Sequence, residues 1–243
     1  MSAAFLWGAL ASSSLVLGGL IALRFRVSGR ILGLVLGFGA GVLISAVAYE
    51  LVEEAFVTSR SRDWVVGGLF AGALVFFGGD ELIDRLGGAQ RKSMGGEQEE
   101  GTALAIVLGI VLDGIPESVV IGLTLLQGGT VSVAMLAAVF LSNLPEAVGA
   151  TSGLAIAGWR RAHIIGLWAI VAFASALASL AGYAFLEDAS ATTIAFILAF
   201  AGGAILTMLA ETMMPEAYLR GGKAVGLATT LGFAVAFAIS VLD

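Results

Sequence analysis

The chain has 243 residues, 59% of them hydrophobic and 12% charged, with a formal net charge of -6 and a mean hydropathy of +1.02. Soluble domains carry roughly 25% charged residues, so this composition excludes a water-soluble particle, a nucleic-acid-binding module and a disordered tail. The absence of Cys excludes disulfides and thiolate-held metals.

Apolar runs of the ~18 or more residues needed for a membrane-crossing helix recur along the whole chain. Eight segments stand between charged or Gly-rich breaks, at about 3–23, 31–57, 64–83, 102–126, 131–157, 162–186, 192–218 and 223–242. The expected fold is an all-α integral membrane protein, a single transmembrane domain of eight helices. A β-barrel would instead show short segments of alternating polarity. The first segment lacks a basic leader, and Arg24, Arg26 and Arg30 follow it, so it reads as a retained span. The second carries Gly33, Gly37 and Gly41 on one face, and the third carries Gly68 and Gly72. Small residues at this spacing let helices approach closely in lipid. Gly78-Gly79-Asp80-Glu81-Leu82 mimics a nucleotide-cyclase signature, but it ends a span with no soluble domain around it. The polar, Gly-rich stretch 86–101 is the one sizeable loop and is expected to be mobile. His163, the only His, opens the sixth segment beside Arg160 and Arg161 and reads as interfacial.

Basic residues orient such a bundle. With the N-terminus outside, ten of the twelve Lys and Arg fall on the cytoplasmic side, and only Arg60 and Arg62 fall outside. Both termini are therefore expected to be extracytoplasmic, with the loop 86–101 inside.

Acids are placed where they cost most. Glu50, Glu53 and Glu54 lie in the second segment, Asp113 and Glu117 in the fourth, Glu146 in the fifth, Glu211 and Glu216 in the seventh. Every Lys and Arg falls in a loop or at a span end, so the acids are expected to lack basic partners. Carboxylates in hydrocarbon must be paired, hydrated or bound to cations. The chain's three prolines each precede a Glu: Pro116-Glu117, Pro145-Glu146 and Pro215-Glu216. A polar residue stands four positions before each Glu (Asp113, Ser142, Thr212), and Glu50-Leu51-Val52-Glu53-Glu54 is a proline-free counterpart. Residues four apart share a helical face. Proline also releases the carbonyl four residues earlier, here those of Leu112, Leu141 and Glu211. Broken helices with bare carbonyls beside carboxylates suit a cation site near mid-membrane. Met213 and Met214 are expected to pack rather than bind metal.

These residues resemble the ZIP family of divalent-metal transporters. In that family the fourth and fifth spans carry motifs of the form His-Asn-x-Pro-Glu-Gly and x-x-x-Pro-Glu-Gly. The fourth segment here reads Asp113-Gly114-Ile115-Pro116-Glu117-Ser118, and the fifth reads Ser142-Asn143-Leu144-Pro145-Glu146-Ala147. The second and seventh resemble the family's His-x-x-Pro-Glu and Asp-Met-x-Pro-Glu, the seventh with one extra residue. The resemblance implies eight spans, both termini outside, a variable loop after the third span and an inverted repeat of the first three and last three spans. It implies a metal site of Asp113, Glu117, Ser142, Asn143 and Glu146, with Glu50, Glu54 and Glu211 lining the pathway beside it. It also implies a homodimer. The family's histidines are absent here, Asp113 and Gly114 standing where His and Asn are usual. A donor set of nearly all oxygen is acceptable to zinc and well suited to Mn, Mg or Ca.

The expected function is transport of a divalent metal cation: zinc by family resemblance, with Mn, Fe or Cd as other cargoes. No resident cofactor is expected; the partners are the cation and the lipid bilayer, with no nucleic acid. Short loops and the lack of targeting signals point to a prokaryotic plasma membrane. The alternative is a proton- or sodium-coupled carrier of a small organic solute, the acids being coupling sites. An enzyme is not expected, since neither His-Glu-x-x-His nor Gly-x-Ser-x-Gly occurs.

Overall fold

The structure, a computed structural model, describes residues 1–25, 27–85, 102–128 and 131–241, without the side chains of 102–111, 113, 127 and 128. The segment 86–101 expected to form the cytoplasmic loop lies outside the described residues, as do Arg26 and the last two positions.

Among the described residues the chain is entirely helical. Its helices are α1 (Ser2–Arg24), α2 (Gly29–Ser59), α3 (Arg62–Ile83), α4 (Thr102–Gly128), α5 (Val133–Ile156), α6 (Arg161–Leu186), α7 (Ala191–Gly221) and α8 (Ala224–Ser240). Six of these, α1, α2, α3, α5, α6 and α7, are long and apolar enough to cross a membrane. The apolar stretches Gly114–Leu126 of α4 and Ala224–Ser240 are shorter. With 31 residues each, α2 and α7 run about 46 Å at 1.5 Å per residue, longer than a hydrocarbon core of about 30 Å. Their ends project or the helices tilt.

Local chemistry sets the helix boundaries. Ser28, Ser132 and Ser190 cap α2, α5 and α7 by accepting from the amides of Ile31, Met135 and Thr193. Gly158 and Gly222 follow α5 and α7 with φ of 83° and 64°, a backbone region that side chains with a Cβ avoid. The Gly78–Leu82 stretch lies inside α3, so no cyclase-type turn forms there.

Packing sorts the helices into two groups. α1 lies along α5 and α6, and α4 lies along α6. In the other group α2 lies along α8 and α7, and α3 lies along α7. The groups meet chiefly where α2 crosses α5 and where α4 crosses α7. Exchanging α1–α3 for α6–α8 and α4 for α5 maps these pairings onto one another, as an internal repeat requires.

The glycines make the close approaches expected of them. A Cβ on Gly41 would strike the Thr229 carbonyl, and one on Gly232 would strike that of Phe38, so α2 and α8 touch backbone to backbone. Gly72 and Gly203 do the same against the carbonyls of Phe200 and Leu69, between α3 and α7. Hydroxyls tie the first group together: Ser12 Oγ donates to Ala172 O at 3.1 Å, Ser179 Oγ to Ala4 O at 2.9 Å, and Trp168 Nε1 to Thr151 Oγ1 at 2.7 Å. The outward faces remain apolar, with Phe70, Leu74 and Phe77 on α3, Phe173 on α6 and Leu227 on α8 all exposed. Oil-facing surfaces of this kind suit lipid rather than water.

Candidate metal site

Helix irregularity coincides with the acids. α2 is α-helical over Gly29–Ala46 and then π-helical over Val47–Glu53, a stretch that contains Glu50 and Glu53 and is followed by Glu54. α7 is interrupted in the same manner at Leu209–Met213, which contains Glu211, just before Pro215 and Glu216. π-helical turns spoil the regular ladder and occur often at functional sites. Pro116 and Pro145 lie inside continuous helices, α4 and α5. There each removes one ladder bond, from Leu112 and Leu141 respectively, without ending the helix.

The two central motifs are buried unequally. In α4, Glu117 is 2% exposed, and Ser118 Oγ donates to Gly114 O at 2.7 Å. In α5, Ser142 is 1% exposed with its Oγ donating to Val139 O at 3.1 Å; Asn143 is 7% exposed and Glu146 half-buried. The side chain of Asp113 lies outside the described residues. Gly39 of α2 holds α5 and α7 close: a Cβ there would stand 3.3 Å from the Leu141 carbonyl oxygen and 3.0 Å from Met213 Cε. The carbonyl that Pro145 deprives of its ladder partner therefore faces the junction of three helices. Met213 is buried in the main core and Met214 packs against it, as expected.

Three residues expected beside this site lie apart in character. Glu50 accepts from Ser132 Oγ and from Ser240 Oγ, both at 2.7 Å. Glu54 is half-buried and accepts from Thr58 Oγ1 at 3.2 Å, one turn along the same helix. Glu211 is exposed. Among the described residues, no three His, Asp or Glu side chains converge closely enough to hold a metal ion.

One expectation is corrected. The acids were expected to have no basic partners, yet Glu216 pairs with Arg220 at 3.1 Å. Both lie in the last two turns of α7, four residues apart, and Arg220 reaches back along the helix to Glu216. Ser132, Ser240 and Ser175 stand outside every sequence motif of the site. Ser132 announces itself only as a helix cap, and Ser240 carries no signal at all. Ser175 of α6 approaches Gly114, its Oγ 3.6 Å from where a Cβ would stand. His163 is exposed in the first turn of α6.

No protein-family model matches the chain. The chain is 27% identical over 215 residues to a curated Arabidopsis thaliana protein provisionally named a zinc transporter. The match covers 86% of this chain and 34% of that protein, so the chain spans about a third of its relative's length. Over most of its length, then, the chain is similar to a protein with a metal-transport name.

Proposed function

We propose that the chain carries a divalent metal cation across a membrane, working as a transporter and not as an enzyme. The observation that carries this reading is the burial of Glu117, Ser142 and Asn143 on two helices that each contain an internal proline. Carboxylate and amide oxygens at that depth are costly and earn retention when a cation binds them. The relative's name supports the same reading, and zinc in particular.

In this reading all eight helices span, in the ZIP-like arrangement, with both termini outside a plasma membrane of a prokaryote and two copies of the chain forming a dimer. Asp113, Glu117, Ser142, Asn143 and Glu146 hold the cation, and Glu50, Glu54 and Glu211 line its route. Access alternates as the α1–α4–α5–α6 group shifts against the α2–α3–α7–α8 group, the contacts between the groups being sparser than those within them. The alternative is a proton- or sodium-coupled carrier of a small organic solute, and the relative's metal-transport name favours the cation.

Uptake of Zn²⁺, Mn²⁺, Cd²⁺, Fe²⁺ and Mg²⁺ into proteoliposomes tests this directly. Outer-shell changes at metal sites cost about 10–100-fold, so the Glu117→Ala/Glu146→Ala double variant is expected to fall to background. A folded wild-type protein with no flux of any of these metals would sink the reading.

A further inference from the structure

Glu50 sits where the π-helical stretch within α2 meets two helix ends, the start of α5 and the last turn of α8. Both of its carboxylate oxygens are engaged. Oε2 accepts from Ser132 Oγ and Oε1 accepts from Ser240 Oγ, each at 2.7 Å. Ser132 belongs to one helix group, while Glu50 and Ser240 belong to the other. Ser132 Oγ also accepts from the Met135 amide, so its donor is aimed by its own role as helix cap. On the α8 side Tyr49, next to Glu50, packs against Phe237 with ring centroids 5.1 Å apart and against Phe233 at 6.3 Å. The aromatic contact fixes α2 to α8, and Ser240 then turns the Glu50 carboxylate toward α5.

From Ser132 inward along α5, positions 135, 139, 142 and 146 follow one helical stripe. Met135, Val139 and Ser142 are all buried on it. The stripe leads from the Glu50 junction to the buried motif of α5.

We propose that Glu50 is a latch, hydrogen-bonded across the two helix groups, that closes this end of the bundle over the α5 stripe, with Ser240 as its positioning residue. The proposal rests on the transport reading, because only a protein with alternating access has use for a closure that must open. In the latched state the carboxylate is satisfied by hydroxyls of the protein and serves no cation. A hydrogen bond to a charged group shifts an equilibrium by roughly tenfold or more, enough to set which end stands open yet weak enough to break in each cycle.

The native chain has no Cys, so one introduced thiol reports on access. Met135→Cys, placed one turn below Ser132, is treated in detergent with a water-soluble maleimide. Labelling is expected to be slow in this background and about tenfold faster once Glu50→Ala or Ser240→Ala is added, in proportion to the lost hydrogen bond. Ser240→Thr, which keeps the hydroxyl, is expected to restore slow labelling. Ser152→Ala removes a bond within α5, from Ser152 Oγ to Val148 O, and is expected to change nothing. Should Glu50→Ala fail to fold, Ser240→Ala carries the test. Equal labelling rates in all variants, or equal acceleration by Ser152→Ala, would overturn the latch. The readout needs no metal, so a protein that labels as expected but moves no metal would condemn the transport reading and not the closure.

Discussion

At the scale of single residues, position along the helix decides what each Glu does. Glu216 and Arg220 are both partly exposed near the C-terminal end of α7, where an i,i+4 pair is worth about 0.5 kcal/mol or less. Glu216→Gln is therefore expected to leave metal flux within about threefold of wild type. Glu117, buried in mid-helix, is expected to be indispensable, and flux assays on the two single variants in parallel read the contrast. Gly41 offers a purely steric test. A valine there must displace the backbone of Thr229 on α8, and overpacking of this kind costs about 1–3 kcal/mol. Thermal unfolding in detergent should show Gly41→Val melting below wild type, whereas Gly226→Ala, where a Cβ meets nothing within 4 Å, should not.

At the scale of elements, proline and π-helix are two routes to one end. Both strip a regular ladder of a partner and leave polar backbone near a carboxylate. Proline costs about 3 kcal/mol relative to Ala in a helix interior, a sum that only function or tertiary packing justifies. Pro145→Ala restores an amide that reaches the Leu141 carbonyl. The expected result is a protein that melts at or above the wild-type temperature but transports more slowly. A faster or unchanged flux would show that the Leu141 carbonyl, held against Gly39 and Met213, takes no part in the route.

At the scale of the whole molecule, a cation that binds the folded bundle stabilises it, by about 2.7 kcal/mol at a hundredfold excess over Kd. Differential scanning fluorimetry with each metal in turn should raise the melting temperature for the cargo and leave it unchanged in the Glu117→Ala/Glu146→Ala variant. Protons compete with metal for the same oxygens, and metal binding releases them. Apparent affinity should therefore weaken as pH falls from neutral to mildly acidic. Affinity independent of pH over that range would argue against carboxylates as the ligands.

The sequence alone determined the membrane class, because composition and run length depend only on transfer free energy summed along the chain. It marked the glycine faces of α2 and α3 and the Pro-Glu pairs, since one helix's periodicity places such residues without reference to any neighbour. It did not mark the π-helical stretches: the one around Glu50 has no proline near it, and before Pro215 the sequence signals a freed Glu211 carbonyl but not the wider turn that forms over Leu209–Met213. Nor could it reveal that Glu50 meets Ser132 and Ser240, which stand 82 and 190 residues away along the chain. Those partners were decided when the helices folded into two groups, because a contact between distant residues depends on where several backbones cross.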